Sequence, residues 1–248
     1  MVDAAFADPR LARLYDVLDP DRSDLDVYAA LLDDLGASSV LDIGCGTGTF
    51  ACMLASAGLD VIAVDPALAS LDVARAKPYA DRVRWVHGDA TALPSVQVDA
   101  ATMTANVAQV FVTDETWRET LAAAYAALRP GGHLVFETRV PAYRAWESWT
   151  REVSYAEAPG DGVDETWFDL LDVTGDPDAV SAGTPLLVTF CGTVVLTSGE
   201  RLSSTSTLRF RSRVEVESSL AATGFEIVDV LDAPDRPGRE WVFVARRP

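Results

Sequence analysis

Residues 40–48 read Val-Leu-Asp-Ile-Gly-Cys-Gly-Thr-Gly, an apolar run that breaks into three alternating glycines at 44, 46 and 48. Helical spacing resumes over residues 50–57 and stops at Gly58. The unit is strand, glycine turn, helix. Without Cβ atoms the backbone lets a ligand approach closely, and free N–H groups at the start of a helix favour a polar or anionic group there. Alone, this stretch implies a nucleotide-like ligand. The next apolar run, residues 60–64, ends at Asp65, about 20 residues past the turn, where an acid accepts hydrogen bonds from both hydroxyls of a ribose.

Outward from this unit, strand and helix patterns alternate. Ser23 is followed three residues on by Asp26, and apolar positions Leu25, Tyr28, Ala29, Leu32 and Leu35 recur at helical spacing, predicting a capped helix that Gly36 stops. Residues 67–77 read as a helix, and 83–87 and 100–105 as strands. Trp117, Leu121, Ala124 and Leu128 line one face of a further helix, and a fifth strand spans 134–138. After Thr138 the periodicity changes: residues 166–173, 186–196 and 201–211 read as antiparallel strands, with a hairpin turn at Ser198-Gly199. Ser212 and Glu215 then form a capping box for a helix ending at Gly224, and strands at 225–231 and 241–245 complete the sheet. The fold class is α/β: a Rossmann-like, mostly parallel seven-stranded sheet with helices on both faces and an antiparallel β insertion as a lid. At about 150 residues per domain, 248 residues make one domain. Residues 1–22 are expected to form an N-terminal cap, and 139–211 a lid inserted before the last helix.

With the turn goes a set of ordered motifs: Asp42 two residues before Gly44, Asp65 after the second strand, Gly88-Asp89-Ala90 after the third, and Leu-Arg-Pro-Gly-Gly at 128–132. Together they resemble the class I S-adenosylmethionine-dependent methyltransferases, over residues 36–139 and the closing elements from Ser212. The resemblance implies that Asp42, Gly44, Gly46 and Gly48 serve the methionine part of the cofactor, and that Asp65, with Pro66 beside it, holds the ribose. It implies that Asp89 and Ala90 meet the adenine, and that Ala105 and Asn106 stand beside the sulfonium. Tyr15, on the first helix, is expected to reach the cofactor carboxylate. A dinucleotide fingerprint is also satisfied by Gly46 to Ala51. Gly44, Asp42 and the later motifs, which hydride transfer does not need, weigh against a nicotinamide enzyme. A cofactor-binding scaffold or regulator is the alternative from another functional class.

Net charge is −18, with 38 acids against 20 bases and Lys77 as the only lysine. Such a surface, with no basic run to offset it, disfavours a nucleic-acid partner. Nor does residue 106 onward, Asn-Val-Ala-Gln, carry the D/N-P-P-Y/F motif of base-amine methylation, and Cys191 follows Phe190 and not proline. Cys45, Cys52 and Cys191 give neither a disulfide framework nor a zinc site. No apolar run approaches the roughly 18 residues of a membrane span, and no secretory signal opens the chain. The expected setting is the cytoplasm, with a small-molecule acceptor, no metal, and a homodimer as an admissible assembly.

Methyl transfer from a sulfonium needs alignment more than acid–base chemistry, so a dedicated catalytic residue is optional. Glu137 and Asn106, at strand ends on the ligand side, are the candidates for that role. His87 and His133 are not. Arg139, Tyr143, Trp146, Trp149 and Trp167 are the candidate acceptor-binding residues of the lid, and Glu165, Asp169 and Asp172 would suit a cationic amine. This arrangement resembles small-molecule N-methyltransferases acting on amino sugars or amino acids, and a hydroxyl acceptor stands nearly level with an amine.

Overall fold

The computed structural model describes residues 2–93, 95–157, 162–180 and 184–248. Helices α1 (Ala4–Ala7), α2 (Pro9–Leu18) and α3 (Asp24–Asp34) precede β1 (Ser39–Ile43), α4 (Thr49–Ser56), β2 (Asp60–Asp65), α5 (Leu68–Ala74) and β3 (Val83–His87). Then come β4 (Val98–Met103), α6 (Asp114–Ala127) and β5 (Leu128–Arg139). A short helix α7 (Arg151–Ser154) leads into β6 (Ala156–Glu157), β7 (Val163–Thr174), β8 (Leu186–Leu196) and β9 (Arg201–Phe210). Helix α8 (Arg213–Thr223), β10 (Glu226–Asp232) and β11 (Glu240–Arg246) close the chain.

Seven strands form one sheet in the order β3-β2-β1-β4-β5-β11-β10. The first five run parallel, and β11 pairs antiparallel with both β5 and β10. All five residues of β1 are buried, as a central strand covered on both faces requires. On one face Leu41, Met103, Leu121, Phe136 and Phe243 pack together, and on the other Leu25, Val40, Phe50, Leu54 and Val244. From β1 the chain runs out to β2 and β3, then returns to β4 on the other side. Ligands of such sheets bind at this reversal, outside the carboxyl ends of the strands.

The insertion is a separate antiparallel sheet, β6-β7-β8-β9. Leu11 of α2 packs on it with Val163, Val194 and Leu202, so the N-terminal segment is gripped between the two sheets. Further grips are Ala5 N–H donating to Ser204 Oγ at 2.7 Å and Ser70 Oγ donating to the Phe6 carbonyl at 3.0 Å.

Three local expectations change. Ser23 makes no side-chain cap: its backbone is already helical, and its own N–H donates to Asp21 Oδ1. Helix α5 ends at Ala74, and Ala76 and Lys77 donate three residues back, to Val73 and Ala74, ahead of Pro78, which disfavours helical backbone before it. Strand β4 ends at Met103, because Ala105 and Asn106 are both left-handed, with φ of +56° and +61°. The Ser212–Glu215 capping box and the Gly224 stop are both present.

Candidate functional site

A cavity of about 610 Å³ lies at the reversal point. Gly44, Gly46, Asp65, Pro66, Asp89 and Ala90 line one end, Thr104, Ala105 and Val107 the other. Val2, Phe6 and Tyr15 roof it from the N-terminal segment, and Thr205 and Thr207 reach it from β9.

The glycine turn is fixed by Asp65. Its Oδ2 accepts the Gly46 N–H at 2.8 Å, and its Oδ1 accepts the Ala67 N–H at 2.7 Å. Each carboxylate oxygen keeps a further lone pair for a ligand. Burial raises the Asp65 pKa, and the two amide bonds oppose that shift. Gly46 has φ +52°, and a Cβ added there would meet no protein atom within 4 Å, so the missing side chain leaves open space beside the cavity. At Gly48 the reason for glycine differs: a Cβ would lie 2.5 Å from the Trp85 ring and 2.7 Å from Ala74 Cβ. Gly48 therefore serves packing, and it does not line the cavity. Asp89 accepts from the backbone and side chain of Thr91 through Oδ1, while among the described residues nothing donates to Oδ2.

Asp42 lies behind the turn. It is buried, accepts from Thr102 Oγ1 at 3.0 Å, and leaves Oδ2 without a partner among the described residues. Asn106 and Glu137 are likewise buried outside the lining, with the Asn106 N–H donating to Glu137 Oε1 at 2.6 Å. Burial pushes Asp42 and Glu137 each up to about 7, against the Thr102 hydroxyl for the first and the Tyr28 hydroxyl and Asn106 amide for the second. Between about pH 4 and 7 the folded protein keeps two protons that the unfolded chain has released. Stability is thus expected to fall as pH rises through that window and to level off above it, by at most about 1.4 kcal/mol per pH unit for each group. Denaturation from pH 4.5 to 7.5 checks this. Asp42→Asn should flatten its share of the slope, and stability that climbs across the window would refute the assignment.

None of the lid aromatics lines the cavity. Trp146 packs edge-on against Phe210 at 4.7 Å, and Trp149 lies 4.7 Å from Phe190 with the Arg139 guanidinium over its ring. They build the insertion's own core with Leu186 and Val188. Trp167 sits between Arg151 and Arg201, and its indole N–H donates to Asp169. Tyr143 is exposed beneath Arg239. Arg139 donates to Gln109 Oε1 at 2.8 Å.

Two features escape a reading of the sequence. Arg22 is the one basic residue lining the cavity among the described residues, and only its Nε is engaged, with Asp24 at 3.3 Å. A lone cation among Asp19, Asp21, Asp24 and Asp26 was the available signal. The second is a latch: Lys77 Nζ lies 2.7 Å from Asp16 Oδ2 and donates to Thr49 Oγ1 at 2.6 Å, and Asp16 Oδ1 accepts from Thr47 Oγ1 at 2.7 Å. It ties α2 to the start of α4. No sequence spacing announces it.

The cradle suits S-adenosyl-L-methionine: carboxylates for ribose and base at one end, a turn open at Gly46 in the middle, and a guanidinium and a phenol for an amino-acid carboxylate. Residues 40–132 match the family described as "Methyltransferase domain". These residues thus carry a methyltransferase domain, matched over less than half of the chain. Among curated relatives, the demethylmenaquinone methyltransferase of Renibacterium salmoninarum is 38% identical over 111 residues, which cover 42% of this chain and 44% of that protein. The chain thus spans less than half the length of that relative. Among solved structures, the CcbJ methyltransferase of Streptomyces caelestis superposes with a TM-score of 0.72 at 22% identity, over 96% of both chains. S-adenosylmethionine-bound CalS10, an amino pentose methyltransferase from Micromonospora echinaspora, gives 0.65 at 23%, over 92% of this chain and 93% of that one. At these identities the superpositions establish the fold. No helix among the described residues is long and apolar enough to cross a membrane.

Proposed function

We propose that the protein transfers the methyl group of S-adenosylmethionine to an amine or hydroxyl of a small molecule by in-line displacement. One observation carries this reading: a single cavity runs from Asp89 and Asp65, over the Gly44–Gly46 turn, to Ala105 and the Thr205 and Thr207 side chains of the insertion. Cofactor cradle and acceptor space are continuous. When bound, S-adenosylmethionine supplies an electrophilic methyl on its sulfonium. The chain's own residues bind and align. Asp89 and Ala90 hold the base, Asp65 and Pro66 the ribose, and Gly44 and Gly46 admit the amino-acid part, with Asp42 and Gly48 supporting the turn from behind. Arg22 and Tyr15 take the carboxylate. Tyr15→Phe should weaken S-adenosylhomocysteine binding by about 1 kcal/mol, the worth of one hydrogen bond; unchanged affinity by titration calorimetry removes Tyr15 from the site.

The acceptor enters between Ala105 and β9, where Thr205 and Thr207 line the cavity and the Thr207 hydroxyl is paired with that of Thr189 at 2.9 Å. Arg139, Trp146 and Trp149 hold that wall in place, with Tyr143 and Trp167 at its periphery. The roof of Phe6 and Tyr15 excludes water, which strengthens alignment. An amine is the first class to test, given an acidic chain and the shared fold of the amino pentose enzyme. We place the protein in the cytoplasm, acting on small molecules and not on nucleic acid, as a monomer or a homodimer. Radiolabelled S-adenosylmethionine incubated with amino sugars, amino acids and phenols tests the reading: label should pass to one class with equal release of S-adenosylhomocysteine. Tight cofactor binding with no transfer to any of the three classes would favour a scaffold.

A further inference from the structure

Three buried side chains converge behind the Ala105 end of the cavity. Asn106 donates its N–H to Glu137 Oε1 at 2.6 Å and its Nδ2 to Glu240 Oε1 at 3.0 Å. Arg236 donates to the same Glu240 oxygen at 3.2 Å. Asn106, Glu137 and Glu240 are all at most 3% exposed, and they come from the loop after β4, from β5 and from β11. What they hold is unusual: Ala105 and Asn106 are consecutive non-glycine residues in the left-handed region, a conformation that side chains oppose. Such backbone persists only where its surroundings over-determine it.

The arrangement is a poor way to build a purely structural turn. Glu240 Oε2 and Asn106 Oδ1 each lack a hydrogen-bond partner among the described residues, and the Tyr28 hydroxyl is the further group that faces Glu137. Buried carboxylates with unmatched oxygens destabilise a fold, and a glycine would make the turn without them. What the turn places is the backbone of Ala105, which lines the cavity, and among the described residues no backbone N–H donates to its carbonyl. Strand order fixes where this lies along a bound ligand. A molecule anchored past β2 and β3 at Asp65 and Asp89, and crossing the turn after β1, ends at β4.

We propose that Glu137 is a positioning residue: through the Asn106 amide, and jointly with Glu240, it fixes the Ala105–Asn106 turn so that the Ala105 backbone meets the reacting end of the cofactor. This rests on the methyltransferase reading above. Sinefungin probes that end without an acceptor, because a carbon replaces the sulfur and bears an amine where S-adenosylmethionine carries its methyl, while S-adenosylhomocysteine carries nothing at that position. The two dissociation constants, measured by calorimetry, give a ratio that reports the transfer end alone.

The wild-type protein is expected to prefer sinefungin. Glu137→Ala should cut that preference about tenfold, the scale of one hydrogen bond to a charged group, while S-adenosylhomocysteine affinity stays within about threefold. Glu137→Gln, which keeps an oxygen for the Asn106 N–H, should restore most of the loss. Should Glu137→Ala not fold, Asn106→Gly keeps the left-handed backbone but deletes the Glu240 bond, and a smaller loss in the same direction is expected. A ratio unchanged in the variants, equal loss for both ligands, or no preference in the wild type overturns the proposal. Wild-type protein that binds neither ligand overturns the methyltransferase reading itself, which is a different failure.

Discussion

Asp65→Ala is expected to weaken S-adenosylhomocysteine binding by about 1.5–3 kcal/mol, or roughly 10- to 150-fold, as for hydrogen bonds to a charged group. Asp65 works in two directions. Its oxygens clamp the Gly46 and Ala67 amides, and their remaining lone pairs face the cavity at the end of β2. The alanine variant would lose the proposed ribose bonds and would also release the turn along which the cofactor is proposed to lie. Asp65→Asn separates the two effects, since an amide oxygen still accepts from one backbone N–H but offers the ribose fewer acceptors. Calorimetric affinities in the order wild type, Asn, Ala are expected, and an alanine variant within twofold of wild type would take Asp65 out of the cofactor site.

Two glycines of the same turn should fail in opposite ways. At Gly46 a side chain finds open space beside the cavity, so Gly46→Val should cost the fold only the left-handed strain, about 1–2 kcal/mol, while S-adenosylhomocysteine affinity should fall at least about 100-fold if the isopropyl group stands in the proposed path of the ligand. At Gly48 even a methyl group strikes the Trp85 ring and Ala74, at positive φ and against a packed core. Gly48→Ala should therefore destabilise the fold by about 3 kcal/mol, lowering Tm by about 10 °C. Melting curves with and without ligand separate the cases. Gly46→Val protein that still shows a full ligand-induced shift would mean that the turn does not border the cofactor.

The sheet was legible because its signals are local. The run at 40–43, the glycines after it, and the acids ending β2 and following β3 each depend on a few neighbouring residues, and the capping box at Ser212 appears as read. Longer-range features were not legible. Trp146 and Trp149 look like substrate contacts in a list of lid residues, and only the partners Phe210 and Phe190, some 40 to 60 positions away, show that they fill the insertion's core. Arg22 and the Asp16–Lys77 latch owe their places to the path of the N-terminal segment between the two sheets. Asn106 reads as a polar residue after a strand. Its backbone N–H meets Glu137 and its side-chain amide meets Glu240, from strands brought together by the sheet order.

Thermal unfolding with S-adenosylhomocysteine, run beside NADH, tests the central claim that this cavity is a methyltransferase cofactor site. Ligand at 100 times its dissociation constant adds about 2.7 kcal/mol, which for a chain of this size raises Tm by roughly 5–10 °C. That rise is expected with S-adenosylhomocysteine and none with NADH. No rise with S-adenosylhomocysteine at millimolar concentration, or a rise with NADH in its place, would contradict it.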